Sequence, residues 1–236
     1  MVSVTGPVRS RNEDACMMLT LNDGRSLLMS ADGMGGHADG HLASRLALLG
    51  TCIGMRNTLA GHPSVSSEEL LTQGFAAAKK LLHDATAADR LDKSAGTTLI
   101  ATLVERTRYV TSYLGDGGAF VRRADGMLEP LMHPQKSSST VLERYLAAST
   151  PQDWEPETTV RARSAGDTLV LGSDGVMDRV TIADVLDWLA RSVATQGLSM
   201  QDALKQLVAH FAQLRADDGR LIADDNMSIL AIRMPG

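Results

Sequence analysis

Asp14-Ala15-Cys16-Met17-Met18-Leu19-Thr20-Leu21-Asn22-Asp23-Gly24-Arg25-Ser26-Leu27-Leu28-Met29-Ser30-Ala31-Asp32 reads as a β-hairpin bracketed by two acids. Ala15 to Leu21 and Arg25 to Ala31 are apolar-rich runs, and Asn22-Asp23-Gly24 between them is a strong turn signal. A ladder centred on Asp23 sets Asp14 opposite Asp32, each nine residues from that centre. Two carboxylates facing across neighbouring strands repel by about 1 to 4 kcal/mol at a separation of ~4 Å, depending on the effective dielectric. A cation between them would relieve the repulsion.

Working outward, acids recur in Asn12-Glu13-Asp14, Asp32-Gly33-Met34-Gly35-Gly36-His37, Ser173-Asp174-Gly175 and Asp224-Asp225-Asn226. An Asp-Gly pair taken alone is a turn. Here, however, Asp32 follows the strand-like run Ser26 to Ser30, Asp116 follows Tyr109 to Leu114, Asp174 follows Thr168 to Gly172, and Asp225 precedes the last strand-like run. Acids at strand ends can share one rim. Oxygen donors without a Cys/His cluster favour Mg²⁺ or Mn²⁺ over zinc, and no stretch has the alternating acids of a calcium loop.

The chain has 236 residues, 44% of them hydrophobic, and a net charge of −5. That length supports one substantial core, and a single domain over residues 1–236 is expected. No long Lys/Arg run is present to track phosphates, which argues against nucleic acid. Cys16 and Cys52 lie in apolar stretches and read as buried thiols of a reducing, cytoplasmic compartment. Met1-Val2-Ser3-Val4 opens no basic and apolar leader, and no apolar run approaches the roughly 20 residues that span a bilayer. No membrane association is expected.

The periodicities predict an α+β order. His41 to Asn57 carries Leu42, Leu46, Leu49 and Ile53 at helical spacing, read as its buried stripe. Ser66 or Ser67 with Glu69 opens a second helix to about Ala88, with Leu70, Leu71, Phe75, Ala78 and Leu82 inward. Thr97 to Val104 and Arg108 to Leu114 read as strands. Two hairpins are expected next: Ala119 to Arg123 with Met127 to Leu131, and Thr158 to Arg163 with Thr168 to Gly172. Ile182 to Val193 and Met200 to Leu214 read as helices capped by Thr181 and Ser199, and Met227 to Met234 as a closing strand.

Gly6-Pro7-Val8-Arg9-Ser10-Arg11-Asn12-Glu13-Asp14, Asp32-Gly33-Met34-Gly35-Gly36-His37, Gly96-Thr97-Thr98, Gly115-Asp116, Ser173-Asp174-Gly175-Val176-Met177-Asp178 and Asp225-Asn226-Met227-Ser228 occur in an order that resembles the metal-dependent protein phosphatases of the 2C type, in their bacterial form. The resemblance implies a four-layer α-β-β-α sandwich, two antiparallel sheets flanked by helices. It also implies hydrolysis of phosphoserine and phosphothreonine by a water activated between two Mn²⁺ or Mg²⁺ ions. In that scheme Asp32 bridges the ions, Glu13 and the Gly33 carbonyl complete one side, Asp174 and Asp225 the other, and Asp14 acts through water. Arg9, preferred over Arg11, grips the substrate phosphate. His37 is read either as a helix-start histidine bonded to the acidic loop or as a general acid for the leaving oxygen.

A monomer is expected, and the resemblance further implies phosphorylated protein substrates and an opposing Ser/Thr kinase. The chain departs from the pattern in two places. Asp116 matches a weaker third metal position, but Gly117-Gly118 stand where a Ser-Arg pair is usual. Residues 133–157 are shorter than the usual flap, and Pro134, Pro151 and Pro156 disfavour long regular elements there, so a reduced flap and a more open site are expected. The alternative reading is a pseudophosphatase that binds phosphoproteins without turnover.

Overall fold

The opening hairpin closes around its Asn-Asp-Gly turn. Leu21 N donates to Arg25 O at 2.8 Å, Gly24 N to Leu21 O at 3.0 Å, and Gly24 takes φ +87°, a left-handed conformation suited to glycine. The two strands pair from Thr20↔Ser26 to Ala15↔Ala31. One step further, that register puts Asp14 across from Asp32, as the sequence predicts.

The computed structural model describes residues 1–34, 39–138, 141–151, 153–178, 182–216 and 218–235. In chain order its elements are β1 (Val2–Val4), β2 (Ala15–Thr20), β3 (Ser26–Ala31), β4 (Gly33–Met34), α1 (Gly40–Gly61), α2 (Ser67–Ala87), β5 (Gly96–Thr97), β6 (Leu99–Val104), β7 (Arg108–Leu114) and β8 (Gly118–Arg122). They continue with β9 (Leu128–Pro130), β10 (Lys136–Ser138), β11 (Val141–Leu142), β12 (Leu146–Ala147), β13 (Glu157–Ala162), β14 (Thr168–Gly172), α3 (Asp174–Met177), α4 (Ile182–Thr195), α5 (Met200–Phe211) and β15 (Met227–Arg233). Two antiparallel sheets dominate, in the orders β13-β7-β6-β3-β2 and β1-β15-β14-β8-β9.

Strand alternation sorts side chains into layers. On β3, Leu27, Met29 and Ala31 join α1 and α2 in one core, while Leu28 faces the opposite sheet. On β15, Met227, Ile229 and Ala231 pack with α4 and α5, while Leu230 meets Leu28 in the cluster between the sheets. The result is the α-β-β-α sandwich expected from the sequence. Ser66 accepts from Glu69 N at 3.2 Å and Ser199 from Asp202 N at 3.1 Å, so both serines cap their helices as predicted. Thr181 lies outside the described residues.

Two expectations are corrected. The buried face of α1 is only partly the leucine stripe: Leu42 and Leu46 pack against the core, but Leu49 and Ile53 are 50% and 36% exposed, and Ala43, Ala47, Gly50, Thr51 and Gly54 are buried. Small residues let α2 come close, and that closeness selects the face. The Thr158 and Thr168 strands form no hairpin either. β13 pairs with β7 in one sheet, and β14 pairs with β8 and β15 in the other. The connection crosses between layers around buried Asp167, whose Oδ2 accepts from Ser164 N at 2.8 Å, Arg123 Nη1 at 2.7 Å and the Tyr109 hydroxyl at 3.1 Å.

The contact of α1 with α2 yields a test. A Cβ on Gly50 would lie 2.6 Å from Ala78 Cα, whereas one on Gly61 meets nothing within 4 Å. Alanine gains about 1 kcal/mol of helix propensity at either site, but overpacking costs about 1 to 3 kcal/mol. Gly50→Ala should therefore lower stability, by up to about 2 kcal/mol in urea unfolding, while Gly61→Ala leaves it equal or higher.

Candidate metal centre

Each acid is held by backbone contacts from a distant segment. Asp32 N donates to Thr98 Oγ1 at 2.9 Å, and Asp32 O accepts from Thr98 N and from Thr97 Oγ1, both at 2.9 Å. The Gly96-Thr97-Thr98 motif thus fixes the loop after β3. Gly33 N donates to Glu13 O at 3.2 Å, and Glu13 N donates to Asn226 Oδ1 at 2.8 Å. Asn226 also donates through Nδ2 to Thr5 O at 2.6 Å and to Arg11 O at 2.9 Å. One buried amide thereby ties the Arg9-to-Asp14 segment to the loop carrying Asp225.

Asp174 opens α3 directly after β14, where the positive end of a helix favours a carboxylate. A Cβ on Gly175 would lie 1.9 Å from Asn226 O, so the α3 backbone touches the Asp225-Asn226 loop only because residue 175 has no side chain. Ser173 N donates to Ser228 O at 3.0 Å, and the Ser173 hydroxyl donates to Asp14 Oδ2 at 2.7 Å. Thus β14, β15 and the start of β2 meet at one point.

Asp14, Asp32, Asp174 and Asp225 consequently share one cluster. Burial pushes the Asp14 carboxyl up to about 6; the Ser173 hydrogen bond opposes the shift and the Asp174 charge adds to it. Asp32 is raised well above the ordinary carboxylate range, first by burial and then by the charges of Asp14, Asp174 and Asp225. Asp174 is raised by burial, with the charges of Asp225 and Asp178 adding and a hydrogen bond with Asp32 opposing. Burial is the larger cause of these shifts, and repulsion among the gathered acids adds to it.

The other expected residues lie around this cluster. The Glu13 carboxylate packs against Gly40 at the start of α1, and Gly33 sits between Glu13 and Gly40. Arg9 is half exposed at the rim, donating from Nη2 to Asp225 Oδ2 at 2.7 Å and from Nε to Asp224 O at 3.2 Å. Arg11 reaches His41 Nδ1 at 3.1 Å. Asp116 is buried beside Asp174, with its Oδ2 3.5 Å from Lys136 Nζ. His37 lies outside the described residues.

The donor chemistry suits a hard divalent cation. Asp14 Oδ1 and Asp174 Oδ1 are buried without a hydrogen-bond partner, and leaving such an oxygen unpaired costs about 1 to 3 kcal/mol. Among the described residues no three acidic, histidine or cysteine side chains stand as a preformed coordination set. The acids are gathered and only partly satisfied from within, Asp225 by Arg9, Asp14 through one oxygen by Ser173, and Asp32 by Asp174. Of the supporting residues, Ser173, Thr98 and Asn226 belong to motifs visible in the sequence, although a supporting role could have been suspected only from their adjacency to acids. Lys136 carries no sequence signal.

A family model described as protein phosphatase 2C matches residues 8–211. Serine/threonine protein phosphatase PstP of Mycobacterium tuberculosis is 29% identical over 206 residues, covering 78% of this chain and 37% of the relative, so the chain spans little more than a third of that protein. Protein phosphatase PhpP of Streptococcus pneumoniae is 22% identical over 230 residues, covering 88% of each. Among solved structures, the PstP catalytic domain in complex with two manganese ions superposes with TM-score 0.74 at 24% identity, covering 99% of this chain and 96% of that one. A bacterial serine phosphatase superposes with TM-score 0.78 at 21% identity, covering 100% and 96%. These structures share the sandwich. With most of its length matched and its acids gathered as described, the chain belongs to the protein phosphatase 2C family.

Proposed function

We propose that the chain is a metal-dependent protein serine/threonine phosphatase, one catalytic domain over residues 1–236, that hydrolyses phosphoserine and phosphothreonine at a centre of two Mn²⁺ or Mg²⁺ ions. Its substrates are phosphorylated proteins, including those of a Ser/Thr kinase it opposes. The observation that carries this reading is the convergence of Asp14, Asp32, Asp174 and Asp225 from distant segments, with two buried carboxylate oxygens left unpartnered. Family membership supports the same reaction class. No described helix is long and apolar enough to cross a membrane.

Asp32, Glu13, Asp174, Asp225 and the Gly33 carbonyl would hold the ions, with Asp14 beside them. When bound, such a pair supplies an acidified water and neutralises charge on the phosphoryl group. The protein's own part is positional. Thr97 and Thr98 fix the backbone of Asp32, the Ser173 hydroxyl aims the Asp14 carboxylate, and Asn226 sets the segment bearing Glu13 against the loop bearing Asp225. Arg9, at the open rim, presents a planar guanidinium whose paired donors match phosphate oxygens. Because it rests on Asp225, a phosphate it captures is delivered beside the acid cluster.

Hydrolysis of a chromogenic aryl phosphate should require Mn²⁺ or Mg²⁺ and stop with chelator, and Asp174→Asn should lower kcat/KM on the order of 10²-fold or more. Turnover without divalent ion, or unchanged turnover in that variant, contradicts the reading. With a phosphothreonine peptide, Arg9→Ala should raise KM roughly tenfold at similar kcat. A large fall in kcat at constant KM would instead assign Arg9 to the transition state.

A further inference from the structure

Lys136 begins β10 in the segment between β9 and β13, and its side chain is only 18% exposed. Its Nζ lies 2.6 Å from Asp178 Oδ2 and 3.5 Å from Asp116 Oδ2. Asp116 follows β7, and Asp178 ends α3, the helix that Asp174 begins. One ammonium therefore joins three parts of the chain next to the acid cluster. The neighbouring residue keeps it there: Gln135 N donates to Gly115 O at 2.9 Å, Gln135 Oε1 accepts from Gly115 N at 3.0 Å, and Gln135 Nε2 donates to Glu157 Oε1 at 2.8 Å.

The surroundings of Asp116 suit an ammonium better than a further divalent ion. A Cβ on Gly117 would lie 2.7 Å from Gly172 O and 2.8 Å from Ile100 Cδ1, and one on Gly118 would lie 2.8 Å from both Met177 Cγ and Phe120 Cε2. A side chain at 117 would meet the backbone of β14, and one at 118 would have to displace Met177 and Phe120, so packing disfavours donor side chains at both positions. What remains around Asp116 is two further carboxylates, Asp174, already placed in the acid cluster, and Asp178, with the Lys136 ammonium already within bonding distance of Asp178. A divalent ion would have to displace that ammonium and then find most of its six or so oxygen ligands elsewhere.

We propose that the Lys136 ammonium is the resident cation of the Asp116–Asp178 corner, that it clamps the β10–β11 hairpin and α3 around Asp174, and that no divalent ion binds at Asp116. The statement about ions rests on the metal-dependent reading above; the clamp rests on geometry alone. Lys136 is a positioning residue, since it touches the elements that carry Asp174 rather than the reacting atoms.

Hydrogen exchange of the metal-free protein tests the clamp. Lys136→Met, which keeps the stem and removes the charge, should speed exchange about tenfold in residues 133–137 and 174–178, and Lys136→Arg should restore protection. Unchanged exchange in Lys136→Met, or failure of arginine to rescue, overturns the clamp. Native mass spectrometry at saturating Mn²⁺ tests the second half: wild type and Asp116→Asn should carry the same number of ions, and one fewer in the variant overturns the proposal. Should wild type take up no Mn²⁺ at all, the metal-dependent reading falls while the exchange experiment still decides the clamp.

Discussion

The repulsion among Asp14, Asp32, Asp174 and Asp225 is the constraint around which the rest of the molecule is arranged. Left to side-chain preferences, these carboxylates would separate into water; the backbone prevents it. The β2–β3 register brings Asp14 and Asp32 opposite each other, the β14-to-α3 junction delivers Asp174, and Asn226 pulls in the loop that carries Asp225. Each junction is fixed by hydrogen bonds to main-chain atoms, which do not rearrange as readily as side chains. Burial first, and the gathering of like charges second, raise the carboxyl groups of Asp14, Asp32 and Asp174.

The sandwich serves this purpose through its layering. Two apolar clusters bind helices to the outer sheet faces and a third joins the sheets, so that the strand ends bearing acids are set by cores on either side. A short sheet, β12-β5-β4, ties the segment after residue 133 to Gly33 and to Thr97 beside Asp32. That segment contains only short strands among its described residues, as its prolines lead one to expect. Its hold on the site comes through Gln135, Lys136 and this strand pairing rather than through an apolar core of its own.

Where local chemistry decides the structure, the sequence is readable. The Asn22-Asp23-Gly24 turn sets the register that opposes Asp14 to Asp32, and Ser66 with Glu69 marks a helix start, because each signal acts over a few residues. Period-two alternation likewise separates the two faces of β15. Other features depend on partners far along the chain. Which face of α1 is buried depends on how closely α2 approaches, and small residues at Ala47, Gly50 and Gly54 outrank the leucines at 49 and 53. The segment from Ser164 to Asp167 resembles a hairpin loop locally, yet it crosses between sheets because Asp167 is claimed by Tyr109 and Arg123. Site acids and their motifs were legible; the ammonium of Lys136 beside Asp116 was not, since nothing near residue 136 announces a partner at 116 or 178.

On the proposed reading, these acids hold two divalent ions. Anomalous diffraction from a crystal grown in Mn²⁺, measured at the manganese edge, tests it most directly. Two peaks about 4 Å apart are predicted, with Asp32 between them, Glu13 and the Gly33 carbonyl at one, and Asp174 and Asp225 at the other. A map without peaks among these residues, or with Asp32, Asp174 and Asp225 standing apart around an empty pocket, would contradict it.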